Sequence, residues 1–314
     1  YGNVSVSILG GEITNSVYGG GEGGITNTKN GTYVRDNVVV TIGDTNYNNT
    51  PIINGSVYGG SAYGTVGGTT NSAAVSGSDT LVTVNKGIIS NVYGGGQGNS
   101  EYTPYVLGDV KVVVNDGTIT NVFGANDKSG TPNGTIEVYI NGGSITNTYG
   151  GGNETSANET NVYLTGGTST KIFGGSNLSG NVNISHVTTS GGTSETVYGG
   201  NNQGGTTGTT NVLINGGTIG TVYGGGEKTS VTESTNVIIK SEITNAFGGS
   251  NLEGTIPVSN VTVENTITQN IYGGNNQGGL TETSNVNIFG GSSKNIFGGG
   301  LKAETTTTNI FANY

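Results

Sequence analysis

The chain contains no cysteine, no methionine and no tryptophan, and its 314 residues include one histidine and one arginine. Without cysteine there are no disulfides, no thiolate nucleophile and no cysteine metal site. His186 stands alone, and a zinc site needs several nitrogen, sulfur or oxygen ligands, so the imidazole reads as a surface group and no metal is assigned. Apolar runs are short, as in Val38-Val39-Val40, far below the ~20 residues of a membrane-spanning helix, so no membrane insertion is expected. Positive charge is also scarce: 10 basic residues face 20 acidic ones, a net charge of −10. Such a surface repels phosphate backbones, which excludes nucleic acid as an expected partner. Leucine numbers 9 against 57 valines and isoleucines, and β-branched residues favour pleated strands over helices.

What the chain has instead is 62 glycines, 42 asparagines and 75 serines and threonines, more than half of its length. Val, Ile, Leu and Phe together make up less than a quarter of the chain, so a core exists but must be thin and spread along it. An aliphatic–aromatic–Gly motif recurs eleven times, with aromatics at Tyr18, Tyr58, Tyr93, Phe123, Tyr149, Phe173, Tyr198, Tyr223, Phe247, Tyr272 and Phe297. The following residue is Gly in all eleven copies, and the next is Gly in all but one, where Ala125 stands. Successive aromatics are almost evenly spaced from Phe123 onward and lie further apart before it.

One regular copy shows the layout. Val212 and Ile214 alternate on one face of a strand, and Asn215-Gly216-Gly217 supplies a turn with positive φ. Ile219 opens a second strand, and Val222, three positions later, breaks the alternation and implies a bend between two short strands. The residue two before the aromatic is Asn91, Asn121, Asn147, Asn245, Asn270 or Asn295 in six copies, an arrangement that suits a stacked asparagine ladder. Three short strands, two bends and a variable loop in ~25 residues describe one coil of a parallel β-solenoid, since a propeller blade needs ~40 or more. The expected fold is all-β: a single-stranded parallel β-helix of eleven to twelve coils, right-handed, rising ~4.8 Å per coil. Residues 1–314 form one continuous solenoid, with longer inserted loops in 1–127 and regular coils in 128–314.

The phrases Val-Tyr-Gly-Gly-Gly (92–96 and 222–226) and Asn-Gly-Gly-Thr-Ile (215–219) resemble repeats of large secreted adhesin-like proteins of gut and anaerobic bacteria and archaea, themselves similar to pectate-lyase-like β-helix proteins. The resemblance is one of repeat style over the whole chain. It implies an extracellular or cell-surface location and carries over no catalytic residue.

Glycan cleavage would need carboxylates converging from equivalent positions of adjacent coils. Asp109 and Asp116 fall at different coil positions, and Glu227 and Glu253 have no basic partner evident in the sequence, so no enzyme and no cofactor are expected; weak calcium binding in the loops stays open. The eleven aromatics could face outward as a platform for sugar rings or inward as a core ladder; Phe replaces Tyr four times, which favours the structural role. Charge and aromatic residues gather only in the inserted loops 19–52 and 59–81, where Arg35, Asp36, Asp44 and Tyr47 are candidates for glycan binding. Threonines at coil starts (Thr210, Thr235, Thr308) raise an ice-binding face as a lesser alternative. Repeat-phased ends with no cap suggest that the chain is cut from something longer or stacks on itself head to tail. The expectation is a non-enzymatic extracellular structural or adhesive solenoid, a fibre or filament subunit, with carbohydrate binding or lyase-like activity as the alternative.

Overall fold

The computed structural model describes residues 2–23, 33–67 and 78–313. Tyr1 and parts of the two inserted loops, 24–32 and 68–77, lie outside the described residues. The described chain is all-β and contains no helix. Its first sheet has twelve strands in chain order, from Val4–Ile8 through Val110–Val114 and Thr207–Ile214 to Glu304–Asn313. The second sheet runs alongside, from Glu12–Ile13 and Val17–Tyr18 to Ser292–Phe297, again in chain order. Every pairing is parallel and joins a strand to its counterpart one coil away. This is a parallel β-solenoid. Ile136, Thr160, Ser185, Thr210, Thr235, Ser259, Ser284 and Thr308 are register partners in succession and recur at the even spacing of the sequence repeat, so eight strands belong to regular coils. The four earlier coils are longer, and three of them add two-residue strands, Tyr33–Val34, Thr65–Val66 and Tyr105–Val106, in a small third sheet.

The turn between the two sheets follows the sequence closely. Gly217 has φ +89° and its equivalents Gly143, Gly167 and Gly192 also sit in the left-handed region, where a side chain is strained. The expected break between Ile219 and Val222 takes a different form. Thr218–Tyr223 is one strand, and the bend is accommodated inside it around Gly220 and Thr221, so each regular coil has two principal strands rather than three.

The inward residues of both sheets form a continuous aliphatic core, including Val212, Ile214, Ile219 and Val222 of one coil, all at most 4% exposed. At the first inward position of the first sheet many coils carry a hydroxyl instead. Thr160 and Thr210 each donate to the carbonyl of the glycine after the ring, at Gly174 and Gly224, at 2.6 Å. A buried carbonyl that would otherwise lack a partner is thereby satisfied. Thr210 and Thr235 are therefore internal, so these threonines that suggested ice binding are not a surface; Thr308, in the last strand, is exposed.

The glycine after each ring is fixed by sterics. From Gly19 to Gly273, a Cβ at that position would collide with the carbonyl oxygen of the equivalent glycine in the next coil. The second glycine is constrained by the third residue past the ring in the next coil. Where that residue is Asn201 or Ser250, a Cβ on Gly175 or Gly225 would collide with its side chain; where it is Gly226, the nearest atom to a Cβ on Gly200 is 3.0 Å away. Ala125 lies beneath Gly152, which accounts for the one alanine in the file. Gly199→Ala should therefore cost at least about 2 kcal/mol, while Gly200→Ala should cost less than about 1 kcal/mol. Urea unfolding of the two variants checks this; equal losses would contradict it.

Candidate functional site: the stacked side-chain files

Adjacent residues of a strand point to opposite faces, so Val222 in the aliphatic core puts Tyr223 on the outer side of its sheet. The ring is nevertheless buried, at 6% exposure. The loop after the double glycine folds back over it, and the rings from Tyr58 to Tyr272 form a second apolar cluster separate from the aliphatic one. The aromatics are thus neither an open sugar platform nor part of the main core. All eleven rings stack, with centroids 4.5–5.1 Å apart and planes within 2–12° of parallel over ten contacts.

The hydroxyls of Tyr18, Tyr58, Tyr149, Tyr198 and Tyr223 reach the loop two coils further on, and that of Tyr93 reaches the loop of the next coil. Tyr58 donates to Asp127 at 3.2 Å and Tyr18 to Gln97 at 2.7 Å; Tyr198 and Tyr223 accept from the amides of Asn251 and Asn276 at 3.2 and 3.1 Å. Each of these partners is the fourth residue past a ring. Phe173 has no hydroxyl, and the fourth residue two coils on is Glu227. There Lys171, two residues before the ring, reaches across to Glu227 at 3.3 Å. This ion pair was not evident from the sequence, in which Lys171 lies 56 residues before Glu227. The mixture of Tyr and Phe is therefore tied, at Phe173, to what the loop two coils away presents.

The asparagine file two residues before the rings is present in two runs. Asn121 donates to Asn91 and Asn147 to Asn121, both at 2.9 Å; Asn270 donates to Asn245 at 2.9 Å and Asn295 to Asn270 at 2.8 Å. Between the runs the position holds Lys171, Thr196 and Thr221. A further file on the outer face of the first sheet links Asn211, Asn236, Asn260, Asn285 and Asn309 at 2.9–3.1 Å. His186 lies in the same file, its Nε2 3.6 Å from Glu159 at the surface.

Three fully buried asparagines, Asn126, Asn201 and Asn275, escaped the reading of the sequence. Asn201 accepts from the backbone N–H of Ser176 at 2.8 Å and donates to the carbonyls of Gly180 and Gly204 at 2.8 and 3.0 Å, locking the covering loops together. Asn275 makes the same three bonds with Ser250, Gly254 and Gly278. The signal for them was available. The third residue past the ring reads Gly152, Ser176, Asn201 and then Gly226, Ser250, Asn275, a pattern that returns every third coil.

The candidate glycan-binding residues are not brought together. Arg35 and Asp36 precede the strand Val38–Ile42 and Asp44 and Tyr47 follow it, which separates the pairs by about 17 Å at ~3.3 Å per residue. Acids do meet elsewhere. Asp79 and Asp109 are one coil apart at equivalent positions, beside Lys111, Thr135 and Glu137, in an open groove of about 440 Å³. Unequal loop lengths hid this equivalence in the sequence. Both carboxylates already serve the stack: Asp79 accepts from the N–H of Asp109, and Asp109 from the N–H of Thr135, each at 2.8 Å. Lys111 pairs with Glu137 at 3.2 Å and lies 4.3 Å above the Tyr139 ring. Among the described residues no group of three or more His, Cys, Asp or Glu side chains is placed to hold a metal ion.

Comparison with protein-family models, with curated proteins and with solved structures gives no match.

Burial raises Tyr18, Tyr58, Tyr93, Tyr149, Tyr198 and Tyr223 of the ring file, with Tyr149 and Tyr223 pushed up to about 12. A folded-state value above the unfolded one, ~10, means that the folded chain holds the proton more tightly. The associated stability is complete below pH ~10 and is lost as pH rises toward about 12. Phenolate absorbance from these rings should therefore rise together with loss of the β circular-dichroism signal. Ionisation of the buried rings at pH ~10 with the fold intact would contradict the arrangement.

Proposed function

We propose that the protein is a non-enzymatic structural rod of the cell exterior, acting as a surface fibre, a filament subunit or the stalk of an adhesin. The observation that carries this reading is that the aromatic rings are matched coil to coil from Tyr18 to Phe297, and asparagines in long runs beside them. Asparagines bond asparagines, rings stack on rings, and Asp79 and Asp109 bond the backbone of the next coil. Such files resist bending and sliding between coils; they do not leave a converging set of acids and bases. The extracellular setting is supported by the style of the repeats. Glycan binding is the second reading, favoured by the groove at Asp79 and Asp109 and the outward Tyr139–Tyr163 stack at 4.6 Å rather than by Arg35, Asp36, Asp44 and Tyr47.

Negative-stain electron microscopy across a concentration series tests the first reading. Straight rods on the order of 50 Å long at low concentration, joining into unbranched fibres as concentration rises, are the expected result. Short rods at every concentration would remove end-to-end growth, and kinked or collapsed particles would remove the rod itself.

A further inference from the structure

Asp127 is the one charged side chain among the described residues that is buried, at 8% exposure, and it sits against the ring file. Its carboxylate accepts hydrogen bonds from Tyr58 Oη on Oδ2 and from Tyr93 Oη on Oδ1, both at 3.2 Å, and from Asn153 Nδ2 at 2.9 Å. The other bonded hydroxyls of the file meet amides. Tyr18 donates to the amide oxygen of Gln97, and Tyr149, Tyr198 and Tyr223 accept from asparagine amides. An oxidised phenol is a strong acid; a carboxylate beside it can accept its proton, whereas a carboxamide is too weak a base to hold it.

The file itself has the form of a path for electrons. Its rings are stacked and, from Tyr58 to Tyr272, shielded from water, and no two phenylalanines are neighbours. Successive tyrosines are therefore never more than two ring spacings apart, as across Phe123, Phe173 and Phe247. A phenylalanine is much harder to oxidise than a tyrosine, so a single one is a short gap, while two together would be a barrier.

We propose that the ring file conducts oxidising equivalents to the Tyr58–Asp127–Tyr93 cluster, which holds them as a tyrosyl radical. The oxidant is a one-electron acceptor at the protein surface, such as an oxygen-derived radical or a high-valent metal complex. One electron leaves Tyr93 or Tyr58 through the stacked rings to that acceptor, and the Oη–H proton crosses to the Asp127 carboxylate. The products are a neutral tyrosyl radical, a neutral carboxylic acid and the acceptor reduced by one electron. Return of an electron and of the same proton restores the starting state. The activity is a redox sink built into the rod, independent of whether the rod forms a fibre.

The lack of cysteine allows a single Lys302→Cys site, at the far end of the file from Tyr58, to carry a ruthenium polypyridyl photo-oxidant. Flash-quench oxidation followed by electron paramagnetic resonance and transient absorption then reads the radical. The expected result is a tyrosyl signal that disappears in the Tyr58→Phe/Tyr93→Phe variant. Phenylalanine already occupies four of the eleven positions, so this variant should fold, which circular dichroism checks. Asp127→Asn places at this position the residue found in the next two coils, Asn153 and Asn177, and should slow radical formation by about a hundredfold through loss of the proton acceptor. Replacing Tyr149, Tyr198, Tyr223 and Tyr272 together with Phe should abolish transfer from the label while leaving the trap oxidisable by a soluble ruthenium(III) complex. A signal that persists in the double variant, a formation rate unchanged in Asp127→Asn, or transfer undiminished in the quadruple variant would each overturn the proposal.

Discussion

Everything in this molecule depends on the constraint that each coil lies one strand spacing, ~4.8 Å, above its predecessor in fixed register. At that distance a residue's nearest neighbour outside its own coil is its own counterpart. The side chain that succeeds at a position is therefore one that packs against itself. Asparagine does so by donating its amide to the next carbonyl, an aromatic ring by offset stacking, and valine or isoleucine by close packing. The glycine after the ring obeys the same rule in its negative form, since only the absence of a Cβ leaves room for the next coil's carbonyl.

The covering loops add a longer-range relation. A tyrosine hydroxyl meets the loop two coils on, and the buried asparagines tie one loop to the next, so that the unit of the structure is larger than one coil. The three-coil period of glycine, serine and asparagine at the third residue past the ring shows the size of that unit. Steric need sets its internal order: a bulky Asn201 or Ser250 sits above a glycine, and Gly152 admits Ala125 beneath it.

Much of this could be read from the sequence because the repeat is direct. The strand through Val212 and Ile214, the left-handed Gly217, the ring file and the two asparagine runs all follow from residue type and spacing. What could not be read depends on geometry that spacing does not contain. Burial of Tyr223 on the outer side of its sheet requires knowing that the loop folds back. The inward direction of Thr210 depends on strand phase, and a threonine file looks the same in sequence whether it faces water or a buried carbonyl. Arg35 and Tyr47 are close along the chain yet lie at opposite ends of one strand. Asp79 and Asp109 belong to successive coils of irregular length, far apart along the chain yet adjacent in space. Insertions thus misled the reading where it sought function, and regularity served it where it sought fold.

The central claim is that coils are equivalent and that register between them, in units of one or three coils, determines whether the chain folds. Deleting residues 150–223 joins Tyr149 to Gly224 and removes three whole coils in phase. The account predicts a folded rod with undiminished β structure, shorter by about 14 Å at ~4.8 Å per coil, measured by small-angle scattering. A control deletion of half a coil should leave the chain unfolded or aggregated. If the in-phase deletion fails to fold, or both deletions behave alike, coil equivalence is not what holds this structure together.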